Sequence, residues 1–513
     1  MQDRDREFDR DGWLATLDVR YKKDGAGGSN IKPCFGYVTD TDRTDLETYL
    51  SKPRDVDRPS VEMLKREADR KTQRNPPAYF LRFTIKCKQE LSSSSLAPDK
   101  PVYMRFLSRV KPELRKFEAL LYLENSPLQD AIVKPTVKSF KVSQISEVLN
   151  PHIKDIFKNL NSVQKTNIVG MSRACLGDPL QPKVCLMQGP PGTGKSTTIV
   201  GLTLQLLYSG MKDGRKQTMP RVLIVAPSNA AVDSVARKLL NLREKIPEKI
   251  RFQLLRMGVV RSMDDQVKKF SLSNEVDRIV QKETEKVKNV DSLRKDIEQK
   301  QKSANKLYEE KMEAEEAGNT HLSSKLDRDY KGLQRQIQNL KSEIKKPLSS
   351  KEGRKIRMEA EYSVLSKADV ILTTMSSSEM VGASYSRGLV HHLDRRKISV
   401  CIMDEASQCV EPEALIPLRL GFRKLVMVGD HEQLQATVTS TSARQLDYQQ
   451  SLFGRLVSCL SAGDDGGRET AGSTPPMSFH RSPVLRLSTQ YRMHPDIALW
   501  PNRSHFVKDF KCF

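Results

Sequence analysis

From Lys183 onward the hydrophobic positions come in short unbroken runs: KVCLMQ, RVLIVAP, ADVILTT, SVCIMDEA and KLVMVGD. Most of them end in Gly, Pro, Ser, Thr or Asp. Runs of this length without alternation suit strands buried on both faces, as in a parallel sheet. Amphipathic helical stretches lie between several of them. The spacing predicts an α/β fold, with the polar residues at the carboxyl ends of the strands where such sheets carry ligands. Upstream the grammar changes. YFLRFTIKCK (79–88) alternates, and PVYMRFLSRV (101–110) follows after the break SSSSLAPDK, so a small antiparallel β unit is expected there. PELRKFEALLYLE then places Leu114, Phe117, Leu120 and Leu121 at helical spacing. Residues 1–75 are polar, with turn signals such as KDGAGGSN, and predict loose structure or short strands.

More than 130 residues separate APSNAAVD from ADVILTT, too many for an ordinary crossover. Leu326, Tyr330, Leu333, Ile337, Leu340 and Ile344 step by alternating fours and threes, a heptad seam. Val276, Val280, Val287 and Val290 form a weaker seam upstream, and EAGNTH offers a turn. The pattern predicts an inserted antiparallel helical hairpin; one long solvated helix with a break is the alternative. Ser461 to Pro483 is rich in Gly, Ser and Pro and reads as a disordered linker.

Length and charge refine this picture. At 513 residues the chain has room for about three domains. It carries 86 Lys+Arg against 64 Asp+Glu, a net charge of +22, which suits a polyanionic partner such as nucleic acid. Its eight cysteines show no CxxC spacing and no His at zinc-ligand distance, which argues against a disulfide framework or a zinc site. The charged start MQDRDREFDRDGW is no signal peptide, and no run has the apolar length of a membrane span, so no membrane partner is expected.

The candidate chemistry begins at GPPGTGKS: Gly189, Pro190, Pro191, Gly192, Thr193, Gly194, Lys195 and Ser196, followed by Thr197. It matches GxxxxGK[ST] and sits between a strand and a helix. Glycines let successive N–H groups face phosphate oxygens, Lys195 would reach the β- and γ-phosphates, and Ser196 would hold Mg²⁺. Phosphoryl transfer also needs an acid pair on a neighbouring strand. CIMDEASQ supplies Asp404 to orient Mg²⁺ and Glu405 as general base. Gln433, after the strand VMVGD, is a neutral donor that could sense the γ-phosphate.

Read in order, LNSVQ, GPPGTGKS, APSNAAVD, ILTT, DEASQ, GDHEQL, SLFGRL and QYRMHP resemble the superfamily-1 helicases of the branch holding the nonsense-mediated-decay helicase and senataxin. GPPGTGKSTTIVGL and the charged insertion look senataxin-like. The resemblance covers about Ser108 to Trp500. It implies that Gln164 reads the adenine edge and that Tyr491 stacks on the ring. Gln433 and Arg492 would contact the γ-phosphate, with Arg492 as an arginine finger. Pro227, Ser228, Asn229, Thr373 and Thr374 would bind the backbone of single-stranded nucleic acid. The implied cofactors are ATP and Mg²⁺. The implied partners are single-stranded RNA or DNA, RNA–DNA hybrids, and transcription or RNA-processing proteins.

The implied organisation is a poorly defined region over 1–75 and a β-rich accessory domain with a helical stalk over 76–150. A P-loop RecA-like parallel sheet follows over 151–240 and 361–460, with the hairpin inserted at 241–360. The linker occupies 461–483, and a second RecA-like domain begins at 484–513. Two departures stand out. Gln435 occupies a position where the family usually has Pro, and only 18 residues follow Pro495 where a second domain is expected to continue. The resemblance therefore implies an ATP-dependent RNA/DNA helicase that unwinds RNA–DNA hybrids and supports transcription termination, with this chain an incomplete motor. A non-motor ATP- and RNA-binding module is the alternative. An ATPase acting on protein is disfavoured by the charge and by APSNAAVD. KKPLSSKEGRKIR (345–357) reads equally as a nuclear import signal or as a solvated basic face, so a nuclear location, with the cytoplasm also open, follows from the resemblance.

Overall fold

The computed structural model describes residues 13–19, 34–45, 79–87, 102–143, 158–209, 220–287, 290–345, 350–381, 398–462, 483–498 and 511–512. The chain divides into two compact units, Met1–Glu118 and Ala119–Phe513. In the first, β1 (Trp13–Val19), β2 (Cys34–Asp45), β3 (Tyr79–Cys87) and β4 (Val102–Arg109) form an antiparallel sheet in the order β3-β2-β1-β4. The two expected strands are present, but β1 and β2 join them from within residues 1–75. The boundary at residue 75 therefore cuts through a sheet. The β2–β3 register shifts between Val38 and Asp40, a bulge that interrupts the two-residue period of β2.

The second unit is built on a seven-stranded sheet. Its strands are β5 (Lys183–Gln188), β6 (Val222–Ala226), β7 (Leu254–Arg256), β8 (Val370–Thr374), β9 (Val400–Met403), β10 (Lys424–Gly429) and β11 (Val484–Arg486). The order is β11-β5-β10-β9-β6-β8-β7, and every pair is parallel. This is the α/β, RecA-like P-loop fold. Successive side chains enter opposite cores: Cys185 and Met187 on one face, Val184 and Leu186 on the other. Both faces are covered, which is why the strands lack alternation. The first core is closed by α1 (Ser162–Leu176), α2 (Lys195–Ser209) and α3 (Asn229–Arg243), through Ile168, Ile199, Leu202, Val232 and Leu239.

The insertion holds two helix pairs. α4 (Leu272–Val287) packs on α7 (Ser350–Lys367), with Arg357 Nη1 2.8 Å from Asp277 Oδ1. α5 (Val290–Glu316) packs on α6 (Thr320–Lys345), where Ile297 and Ala304 meet Ile337, Tyr330, Leu333 and Leu340. Gly318 (φ 72°) makes the turn, and Asn319 Oδ1 accepts from Leu322 N at 3.1 Å. The weaker valine seam thus spans two different helices, since Val276 lies on α4 and Val290 opens α5. The insertion also starts later than residue 241, because β7 is the edge strand of the main sheet.

A second boundary moves as well. Val484–Arg486 were expected to open a second domain; instead they pair with β5, and Val484 and Leu485 are buried in the two cores of the main sheet. The separate sheet begins at β12 (Thr489–Gln490), which pairs in parallel with β13 (Lys511–Cys512). Most of the expected linker, 463–482, lies outside the described residues. Among the described residues no helix is long and apolar enough to cross a membrane, and Cys175, Cys185, Cys401, Cys409 and Cys459 are free thiols.

Candidate active site

β5 ends at Gln188, and the chain turns at once into the glycine-rich loop. Gly189 N–H donates to Gly429 O at 3.0 Å, fastening the loop to the end of β10. Gly192 (φ 77°) and Gly194 (φ 87°) adopt the left-handed backbone that glycine tolerates. A Cβ on Gly194 would come 2.5 Å from Gln164 Nε2, so the loop also needs the missing side chain for space. Lys195 opens α2. Its Nζ donates to Gly189 O at 2.9 Å and lies 3.8 Å from Glu405 Oε1. Thr193 is buried and its hydroxyl donates to Pro190 O at 2.8 Å, so it stiffens the loop from within. The N–H groups at the start of α2 and the Lys195 ammonium suit this end of the cleft to cradling phosphate oxygens.

The acid pair follows β9. Glu405 sits at φ 49°, uncommon for a residue with a side chain, and its N–H donates to Asp404 Oδ1 at 2.9 Å. Asp404 is buried. Its carboxyl is pushed up to about 7, first by burial and then by the Glu405 charge; the Glu405 N–H and the Lys195 and Lys238 ammoniums oppose this. A buried carboxyl behind the cleft and the half-buried Ser196 hydroxyl in its wall are oxygen donors of the kind a divalent cation takes.

Gln433 Nε2 donates to Asp430 Oδ2 at 2.7 Å, and Asp430 Oδ1 accepts from Gln188 Nε2 at 3.2 Å. Asp430 N–H donates to Ser407 Oγ at 3.1 Å. Buried Asp430 therefore holds the strand before the P-loop and Gln433 through its carboxylate, and the loop after the acid pair through its backbone N–H. On the other side, buried Gln490 organises a tight turn: its Oε1 accepts from Arg492 N (2.9 Å) and Met493 N (2.7 Å). Tyr491 N–H donates to Gly192 O at 2.9 Å, and Tyr491 OH accepts from Asn161 Nδ2 at 2.8 Å. Asn161 caps α1 in a capping box with Gln164. Gln164 is buried, with Oε1 held by Asn161 N at 3.1 Å and Nε2 donating to Thr193 O at 3.1 Å. Any adenine contact must use its remaining proton and lone pair.

These elements enclose a cleft of about 630 Å³. Of the residues singled out in the sequence, Gln164, Pro190, Pro191, Gly192, Gly194, Lys195, Ser196, Thr197, Glu405, Gln433, Tyr491 and Arg492 line it. Gly189, Thr193 and Asp404 stand behind the wall. Asn159, Leu160, Lys238 and Leu242 also line it and were not anticipated. Lys238 and Leu242 are one turn apart on α3. The Lys238 ammonium is lowered by desolvation; the Asp404 carboxyl works against that shift and Arg492 works with it.

The residues assigned to nucleic acid lie apart from the cleft lining, at the ends of β6 and β8, where Ala226 pairs with Thr374. Ser228 Oγ accepts from Ala231 N at 3.2 Å as the cap of α3, and Asn229 and Pro227 are half-buried. Thr374 is half-buried, and its hydroxyl accepts from Ser377 N at 3.3 Å. Thr373 departs from the expectation. Strand alternation turns it into the protein, where it is fully buried and offers a strand no hydroxyl.

Comparison with known proteins places this geometry in a lineage. The family described as AAA domain matches residues 159–441. The chain is 31% identical over 413 residues to the probable helicase senataxin of Mus musculus, covering 77% of this chain and 15% of that protein. It is 30% identical over 345 residues to Helicase sen1 of Schizosaccharomyces pombe, covering 63% of this chain and 18% of that one. It is 27% identical over 352 residues to the ATP-dependent helicase NAM7 of Saccharomyces cerevisiae, covering 68% and 26%. The chain thus spans only a small part of the length of these relatives.

Proposed function

The chain belongs to the AAA-domain family, among the senataxin-like superfamily-1 helicases, and on that premise we propose that its cleft binds and hydrolyses ATP to drive movement along single-stranded RNA or DNA. The observation that carries the reading is the convergence of Lys195, Glu405, Gln433 and Arg492, drawn from four separate sequence segments, on one cleft. Lys195 and Arg492 supply positive charge where charge develops on the transferred phosphoryl group. Glu405 accepts the proton of the attacking water, and Gln433, once released from Asp430, reports the γ-phosphate. Ser196 and Asp404 would hold Mg²⁺, which when bound would neutralise charge on the phosphates. Tyr491 offers an exposed ring at the cleft mouth for the base, beside Gln164. The finer reading is unwinding of RNA–DNA hybrids in support of transcription termination, in the nucleus, with transcription or RNA-processing proteins as partners. It rests on the similarity to senataxin and sen1 and on the +22 charge.

The test separates binding from chemistry. Glu405→Gln in the full chain should bind an ATP analogue as the unchanged chain does, yet lose hydrolysis by about a hundredfold or more. Lys195→Ala should lose both, and single-stranded RNA should stimulate the unchanged chain. Hydrolysis at full rate by Glu405→Gln would remove the general-base assignment. ATPase indifferent to RNA and DNA would remove the translocation reading.

A further inference from the structure

A fully buried ion pair lies directly behind the loop assigned to nucleic acid, and none of the chemistry above uses it. Arg256, the last residue of β7, has a side chain with no solvent exposure, and Asp233 on α3 is nearly as enclosed. Arg256 Nε donates to Asp233 Oδ1 at 2.8 Å, Nη1 donates to Met257 O, and Nη2 donates to Asn229 Oδ1 at 2.8 Å. Asp233 Oδ2 is taken by Asp264 N at 2.8 Å. Gly258 (φ 140°) keeps its backbone close, since a Cβ there would sit 3.1 Å from Arg256 Nη1. A charged pair in this setting is expensive to bury, and an apolar pair of similar volume would serve packing as well. The arrangement therefore calls for a role beyond cohesion.

The chemistry of the third contact supplies one. A guanidinium has donors only, so Asn229 must turn its carbonyl oxygen toward Arg256. The Asn229 amide nitrogen, with its two protons, is then fixed on the opposite side, on a half-buried residue that opens α3 at the carboxyl end of β6. We infer that Arg256, itself held by Asp233, is a positioning residue that locks Asn229 as a hydrogen-bond donor toward a phosphate or sugar oxygen of a bound single strand. Without the lock the amide can flip and present an oxygen that repels such an acceptor. A neutral donor aimed at the backbone carries no base preference, as an enzyme moving along any strand requires. The inference rests on the strand-binding part of the proposed function and adds the residues that orient it. It also brings β7 and the Asp264 segment, which lead into the helical insertion, into the strand-binding apparatus.

Asn229→Asp gives the decisive variant, because aspartate still accepts from Arg256 but has no donor to offer. In the full chain it should melt at or above the temperature of the unchanged protein and bind a fluorescent ATP analogue with unchanged affinity. Its affinity for a labelled oligouridylate, read by anisotropy at fixed salt, should fall about tenfold, the value of one hydrogen bond to a charged acceptor. Arg256→Lys keeps a charge for Asp233 and releases the amide. It should weaken oligouridylate binding several-fold while ATP-analogue affinity holds. Asn229→Asp binding oligouridylate as tightly as the unchanged chain overturns the inference. So does an Arg256→Lys variant that loses RNA and nucleotide affinity together, which marks a merely structural role. An unchanged chain that hydrolyses ATP but binds no RNA instead overturns the strand-binding reading, and the inference falls with it.

Discussion

The contact between α1 and α2 sets the distance between the capping residues and the P-loop, and it can be tested through one glycine. Gly201 lies on α2 where α1 crosses it; a Cβ there would sit 2.6 Å from Ile168 Cδ1, 3.5 Å from Ile168 Cγ1 and 3.8 Å from Leu160 Cδ1. Ile168 is fully buried, so its methyl has no free space to retreat into. Gly201→Ala gains about 1 kcal/mol of helix propensity. It also forces a methyl into occupied volume, at about 1–3 kcal/mol. The net expectation is a loss of about 1 kcal/mol, a balance of those two terms. Ile168→Val alone removes the offending methyl and leaves a gap, costing about 1 kcal/mol. In the double variant the alanine methyl fills that gap, so both costs shrink together and the helix gain emerges. A double-mutant cycle should therefore show favourable coupling of about 1–2 kcal/mol. Urea unfolding midpoints at constant slope give the stabilities. KM for ATP should rise in Gly201→Ala and return in the pair, because α1 carries Gln164 and Asn161. Gly201→Ala that stabilises by about 1 kcal/mol, with simple additivity in the pair, would show that the helices slide apart freely and would refute the reasoning.

Two further outcomes are expected. Lys238→Ala should weaken ATP binding by roughly tenfold, as for a lost charge-assisted contact; unchanged nucleotide affinity would mean that this cation plays no part. In the insertion, hydrogen bonds from Lys311 and Lys331 hold the Asp327 carboxyl down to about 2, from an ordinary 3.8. The native value is the lower one, so this stabilisation is present above about pH 4 and fades as pH falls through about 2. Hydrogen exchange in α5 and α6 should accelerate over that window and lose the dependence in Asp327→Asn; an identical acid profile in the variant would assign the loss to other groups.

The parts of the site that could be read from the sequence are those whose geometry is local. GPPGTGKS needs only a strand before it and a helix after it, and the acid pair needs only the end of an apolar run. Lys238 was invisible because an amphipathic helix such as α3 reads its charged positions as solvated until α2 is laid beside it. β7 and β11 escaped notice because three-residue strands are too short to show a period. Thr373 and Thr374 are equivalent as letters; only strand alternation separates the enclosed one from the accessible one. The Arg256–Asp233 pair joins residues 23 positions apart whose charges suggest a surface, so nothing short of the packed sheet reveals it.

The pairing of β11 with β5 gives Arg492 a short leash. Leu487 N–H is still stitched to Gln188 O at 2.9 Å, on the strand that leads into the P-loop. Arg492 comes five positions later, and five extended residues reach at most about 17 Å. The guanidinium is thus confined near the cradle whether or not nucleotide is present, at an effective concentration of the order of millimolar or above. On the proposed reading of Arg492 as a phosphate contact, most of the entropy of bringing that cation to its phosphate is lost when the chain folds, and each cycle would begin with the search already over.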